Sequence, residues 1–136
     1  MARIKKFVID LDGTLAQYDD WEGLFHLGDP IPGAVAFTKR LAADGSKIII
    51  FTRRMHYIDN DLFTEQKQQE IHDFIADWLN KHGFAWDEIY QGQGKPDGTA
   101  FIDDRGVSCR PQDNPDAYEE AINYIRYNIL RKGATL

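Results

Sequence analysis

A chain of 136 residues with 22 acidic and 16 basic side chains, net charge −6, is long enough to bury most of the surface its unfolded form exposes, and its acidic balance gives no general attraction to nucleic acid, so phosphate recognition would fall to local groups. Wholly apolar runs such as IIIF at 48–51 are far too short to cross a bilayer. The single cysteine, Cys109, excludes an internal disulfide and a cysteine-based zinc site and suits a reducing compartment, so one soluble cytoplasmic domain covering 1–136 is expected.

In chain order, KKFVIDL (5–11) and SKIIIFT (46–52) are short, β-branched and continuously apolar, as strands covered on both faces of a parallel sheet should be. Between them, 32–44 reads as a helix opened by Pro32 and closed by Gly45. From Asp61 to His82, Ile71, Phe74, Ile75, Trp78 and Leu79 recur at three- and four-residue spacing, and Gly83 supplies the stop. Weaker strands are expected at 87–91 and 99–103. A last helix is expected over 115–131, with Asn114 as N-cap, Pro115 at its first position and Tyr118, Ala121, Ile122, Ile125 and Ile129 as its buried stripe. Strands alternating with helices predict a three-layer, Rossmann-like α/β fold around a central parallel sheet, whose ligands gather at the carboxyl ends of the strands.

Asp10 and Asp12 close the first strand in FVIDLDGTL (7–15). Residues two apart in an extended stretch point the same way, so both carboxylates can face one pocket. At about 4 Å and an effective dielectric near 20 their repulsion is roughly 4 kcal/mol, enough to raise one pKa or to recruit a cation. Alone, DGT also reads as a solvated Asp-Gly turn. Two further strand ends add to the pattern: IIIFTRR brings Thr52, Arg53 and Arg54, and FIDDRG brings Asp103 and Asp104, with Lys95 upstream in QGKPDGT.

An aspartate pair, a hydroxyl, a lysine and a second acid pair in this order resemble the haloacid dehalogenase (HAD) superfamily of aspartate-dependent phosphohydrolases, from about Phe7 to Arg105. The resemblance implies a HAD-like fold and an Mg²⁺-dependent phosphatase. In it Asp10 attacks phosphorus to form an aspartyl-phosphate, and Asp12 protonates the leaving oxygen and then deprotonates the hydrolytic water. Mg²⁺ would be held by Asp10, the Asp12 backbone carbonyl and Asp103, with Asp104 binding through water or orienting Asp103. Thr52 would bind a phosphate oxygen. Arg54 matches the place where the phosphatase half of polynucleotide kinase-phosphatases carries an arginine. Lys95 lies only eight residues before Asp103, a span of about 26 Å if extended, so a raised QGQGKPDG loop would have to bring its ammonium back to the phosphate. The main phosphate-binding charge is therefore assigned to Arg54 or Lys95.

The intervals between motifs leave no room for a cap domain. The expected substrate is a small phosphorylated metabolite or nucleotide, with the loops at 16–29 and 53–63 as its cover. A polynucleotide end is the alternative substrate, and a receiver-type or non-catalytic phospho-ligand-binding domain the alternative class; no membrane partner is expected. Tyr18, Trp21 and Phe25 either pack the first loop or line the entrance. His26 and His56 fall in loops near the expected pocket, and His72 and His82 read as surface groups.

Overall fold

The structure, a computed structural model, describes residues 3–56 and 64–130. The elements run β1 (Lys6–Ile9), α1 (Ala34–Ala42), β2 (Lys47–Ile50), a 3₁₀ turn (Arg53–His56), α2 (Glu65–Lys81), β3 (Glu88–Ile89), β4 (Ala100–Ile102) and α3 (Ala117–Tyr124), followed by a π turn (Ile125–Ile129). The chain divides into two compact units, Met1–Asp104 and Arg105–Leu136.

The first unit holds a four-stranded, all-parallel sheet of order β3-β2-β1-β4, flanked by helices. This is the Rossmann-like α/β arrangement expected from the alternating pattern, and neither interval between the motifs contains an inserted cap among the described residues. In-register pairing of Phe7 with Ile48 and Ile9 with Ile50 stacks alternate side chains on one face. There Ile9, Ile48 and Ile50 meet Ala34 of α1 and Ile71, Ile75, Trp78 and Leu79 of α2 in one buried cluster. Val8 and Ile49 alternate to the opposite face and are buried too, which explains why these strands read as continuous apolar runs.

Strand order sets the site. β1, β2 and β3 step in one direction, and β4 then pairs with β1 on its other side, so the switch point of the sheet lies between the carboxyl ends of β1 and β4. Asp10 follows β1, Asp103 and Asp104 follow β4, and the Asp10 amide donates to the Ile102 carbonyl at 2.9 Å, locking the two strand ends together.

The helices differ from expectation at their ends. α1 starts two residues after Pro32, because Gly33 takes a left-handed φ of 91° at the N-cap. α2 begins at Glu65 behind Thr64, whose hydroxyl accepts the Lys67 amide at 3.1 Å; the expected start at 61–63 lies outside the described residues. Gly83 follows the helix at φ 80°, as the stop signal required.

In the second unit α3 starts at Ala117, with Asp116 and not Asn114 in the capping position. Asn114 instead accepts the Asp116 amide at 3.0 Å and donates to Glu120 at 2.9 Å, a local turn that delays the helix by two residues. The expected buried stripe is not buried: Tyr118 is 66% exposed, Ile122 and Ile129 are exposed, and Ala121 and Ile125 are half-buried. Among the described residues of this unit no second helix or sheet accompanies α3 on which to bury a stripe. Residue 131, its expected end, lies outside the described residues.

Candidate active site

Every acid of the two pairs belongs to the first unit. Asp10 is half-buried, its Oδ1 accepts the Leu11 amide at 2.8 Å, and the Asp104 carboxyl lies within hydrogen-bonding reach of its own. Burial pushes the Asp10 carboxyl up to about 7, the Leu11 amide opposes that rise, and Asp104 and then Asp12 add repulsion. Two carboxyl groups can share a hydrogen bond only when one carries a proton, so in this arrangement the pair holds an extra proton or needs a counter-charge.

Gly13 makes the pairing possible. Its φ of 83° turns the chain directly after Asp12, and a Cβ at this position would stand 2.5 Å from Asp104 Oδ2. The glycine of DGT is therefore required twice, for the left-handed turn and for the close passage of the second acid pair. Both members of that pair are exposed, and Asp104 is the one that faces Asp10.

The Asp12 carboxylate faces a different partner. Arg54 Nε donates to Asp12 Oδ2 at 2.7 Å and Nη2 to Oδ1 at 2.9 Å, while Nη1 donates to the carbonyls of Gly23 at 3.1 Å and Leu24 at 2.8 Å. The Arg54 side chain is only 3% exposed and the Asp12 side chain 19%. Arg54, expected to bind phosphate, is thus occupied by Asp12 and by the loop over it, and the exposed arginine of the turn is Arg53. Thr52 is buried at the end of β2, and its Oγ1 accepts the Arg54 amide at 3.2 Å, which leaves its O–H free to donate.

Lys95 lies beside Phe101 of β4. Its ammonium lies 4.1 Å from the centre of the Phe101 ring, and Phe101 is paired with Val8 in mid-sheet. The loop returns part of the way along β4 and stops on an aromatic face.

The loop after the first motif is closed at its base by the Gln17 amide on the Asp29 carbonyl at 2.8 Å and a bridge between Ala16 and Pro30. Arg54 fastens its tip through Gly23 and Leu24. Phe25 packs edge-on against Phe74 at 5.7 Å, and the Trp21 ring lies over the Arg54 guanidinium at 5.0 Å. Of the histidines, His26 pairs with Glu22 at 2.7 Å and His56 packs against Phe51 and Tyr90. His72 contacts Asp73, and His82 lies against Trp78. Sequence reasoning missed the carbonyls of Gly23 and Leu24, since no side chain marks them, and the link from Trp21 through Arg54 to Asp12.

Among the described residues no three carboxylate, imidazole or thiol groups converge as a ready cage for a metal ion. The Asp10–Asp104 pair nevertheless fits a hard divalent cation. It offers two carboxyl groups held side by side, and with the Asp12 carboxylate turned to Arg54 the other donors would be carbonyl, phosphate and water oxygens, the mixture Mg²⁺ accepts.

No family model and no curated protein matches the chain. Among solved structures, a conserved protein from Bacteroides thetaiotaomicron matches with a TM-score of 0.53 and 20% identity, over 87% of this chain and 92% of its own. A crystallised target protein from Vibrio cholerae matches with 0.51 and 28%, over 86% and 98%. A D,D-heptose bisphosphate phosphatase from B. bronchiseptica, crystallised with magnesium and phosphate, matches at only 0.43 and 21%, over 88% and 63%. The first two likenesses are likenesses of fold and agree with the α/β architecture described above. No helix among the described residues is long and apolar enough to cross a membrane.

Proposed function

We propose that this protein is an Mg²⁺-dependent hydrolase of phosphomonoesters that works through an aspartyl-phosphate on Asp10. The observation that carries this reading is the pressing together of Asp10 and Asp104 at the switch point of the sheet, with Asp12 clamped two residues further on. Holding like-charged acids side by side costs stability and repels a phosphate dianion, so the cluster makes chemical sense around a cation and a phosphoryl group.

Asp10 forms a bond to phosphorus as the bond from phosphorus to the leaving oxygen breaks, and Asp12 gives that oxygen its proton. Asp12 then takes a proton from a water whose oxygen attacks phosphorus, releasing orthophosphate and restoring Asp10. Each Asp12 oxygen engages one Arg54 donor and keeps a further lone pair for this exchange. Thr52 donates its hydroxyl hydrogen to a phosphate oxygen. Asp10, Asp104, Asp103 and the Asp12 carbonyl would hold Mg²⁺, which supplies the positive charge that keeps Asp10 ionised and offsets the phosphate.

A small phosphorylated metabolite or nucleotide is the preferred substrate. The polynucleotide-end alternative rests on an open, capless site and on Arg53, Arg54 and Arg105 as an anion-binding patch; of these, Arg54 is engaged by Asp12. A cytoplasmic setting, suggested by the lone cysteine, accompanies this reading.

The test is orthophosphate release from a panel of phosphomonoesters with Mg²⁺, with a chelator, and with Asp10→Asn, together with acid-quenched trapping of the phosphorylated chain. Release that needs Mg²⁺ and Asp10 is expected. Binding of phosphorylated ligands without release would return the protein to a non-catalytic class.

A further inference from the structure

We propose that the apolar stripe of α3 is a self-association surface, covered in solution by α3 of a second copy of this chain running antiparallel to it. The inference is independent of the phosphatase reading. α3 passes without a break into the π turn, because the Ile125 amide donates to the carbonyls of Ala121 and Ile122. Along it Tyr118, Ile122, Ile125 and Ile129 follow one another at spacings of four, three and four, the seam by which two helices pack. Tyr118, Ile122 and Ile129 are exposed and Ile125 is half-buried. A continuous exposed seam of this kind marks an interaction surface, as single exposed apolar residues do not.

The charges beside the seam identify its occupant. Glu119 and Arg126 are seven residues apart, close to two helical turns, and so flank the seam on the same side. They stand about 10 Å apart along the axis, too far to pair with each other. The residues three and four places from either, where a helix seats a salt-bridge partner, include no opposite charge. Neither joins an ion pair among the described residues. Glu120, off the seam, is by contrast taken by Asn114 at 2.9 Å.

Two antiparallel helices bring like flanks together, so an acid and a base on one flank answer each other twice about a two-fold axis. Setting Tyr118 against Ile129 of the second copy, and Ile122 against its Ile125, puts Glu119 level with the second copy's Arg126 and Arg126 level with its Glu119. A parallel pair would instead face this flank with the other one, where Ala121 and Asn128 carry no charge. A partner of one charge sign would repel one member of the flank, whereas a second copy satisfies both. The seam is roughly 20 Å long, which places the dimer among small, weak interfaces.

The experiment is sedimentation equilibrium of the full chain from about 5 to about 500 µM, the range suited to a weak interface, with circular dichroism to check that each variant is folded. Wild type should pass from monomer to dimer. Ile122→Glu should weaken the dimer at least about tenfold, and Tyr127→Ser, which alters an exposed aromatic on the far side of the helix, should change it less than about threefold. Glu119→Arg and Arg126→Glu should each weaken it about tenfold alone by setting like charges together. Mixed one to one they should form a heterodimer within about threefold of wild type, because every flank then meets its opposite. Should Ile122→Glu fail to fold, this mixture decides. A monomer throughout the range would overturn the proposal, as would a dimer indifferent to a folded Ile122→Glu. A mixture no tighter than its separate components would overturn the antiparallel pairing.

Discussion

Arg54 holds the Asp12 carboxylate in a two-point fork, at 2.7 Å and 2.9 Å, from a side chain that is almost wholly buried. A fork of this kind fixes the plane of the carboxylate as well as its position, which a lysine at the same place could not do. In the phosphatase reading proposed above, Arg54 therefore acts through Asp12, as a positioning residue.

Its substitution should accordingly affect turnover more than binding. Arg54→Lys should lower kcat by about 100-fold, the scale of loss from a misplacement near 1 Å, with KM changed less than about threefold. Steady-state kinetics separate the cases, because an arginine that gripped phosphate directly would raise KM when removed. Arg54→Ala should also destabilise the protein by roughly 3 kcal/mol, since it leaves a largely buried carboxylate without its partner; urea unfolding measures this.

Asp10 links stability to pH with a definite sign. Its carboxyl loses a proton near 3.8 in the unfolded chain and near 7 in the folded one. Between those values the folded state binds the proton that the unfolded state has released, so the contribution is fully present below about 4 and is lost as pH rises through 7. In the absence of metal, wild type should thus lose stability across that window. Asp10→Asn should abolish phosphatase activity, remove this part of the slope and melt higher than wild type at pH 8. Thermal melts of both proteins at several pH values, with a chelator present, check the sign; a lower melting temperature for Asp10→Asn at pH 8 would show that Asp10 is not under charge strain.

The strands, α2 and the strand-end location of the acids were legible because each depends on short-range rules. Continuous apolar runs mark a parallel sheet, three- and four-residue spacing marks a helix face, and ligand sites follow the carboxyl ends of strands. Which group meets which was not legible. Asp103 and Asp104 are adjacent and only the path of the chain after β4 decides that Asp104 meets Asp10. Arg53 and Arg54 are likewise adjacent, and the 3₁₀ turn buries one and exposes the other. The stripe of α3 was visible as a pattern, but a pattern shows what a helix could bury and not whether its unit offers a surface to bury it on.

Gly13 joins fold to chemistry. Gly13→Ala should cost about 1–2 kcal/mol for the left-handed backbone alone. The added Cβ, 2.5 Å from Asp104 Oδ2, should also push that carboxyl away from Asp10. Mg²⁺ should then bind more weakly, read as a higher Mg²⁺ concentration for half-maximal turnover. Unchanged Mg²⁺ dependence in a destabilised variant would separate the turn from the acid pair.

Lys95 supplies the opposite kind of prediction. A lysine that neutralises phosphate in the transition state should be costly to remove, but this ammonium lies 4.1 Å from the Phe101 ring, where an exposed cation–π contact contributes about 0.5–1 kcal/mol to stability. Lys95→Ala should therefore change kcat/KM by less than about threefold and lower stability only slightly, and Phe101→Leu should produce the same small loss of stability. Combining the two substitutions should add little to either alone, because they remove the same contact. A fall in kcat/KM of about tenfold or more in Lys95→Ala, absent from Phe101→Leu, would mean that the QGQGKPDG loop carries its lysine from the aromatic face to the phosphate during turnover, and would restore to Lys95 the role its place in the sequence first suggested.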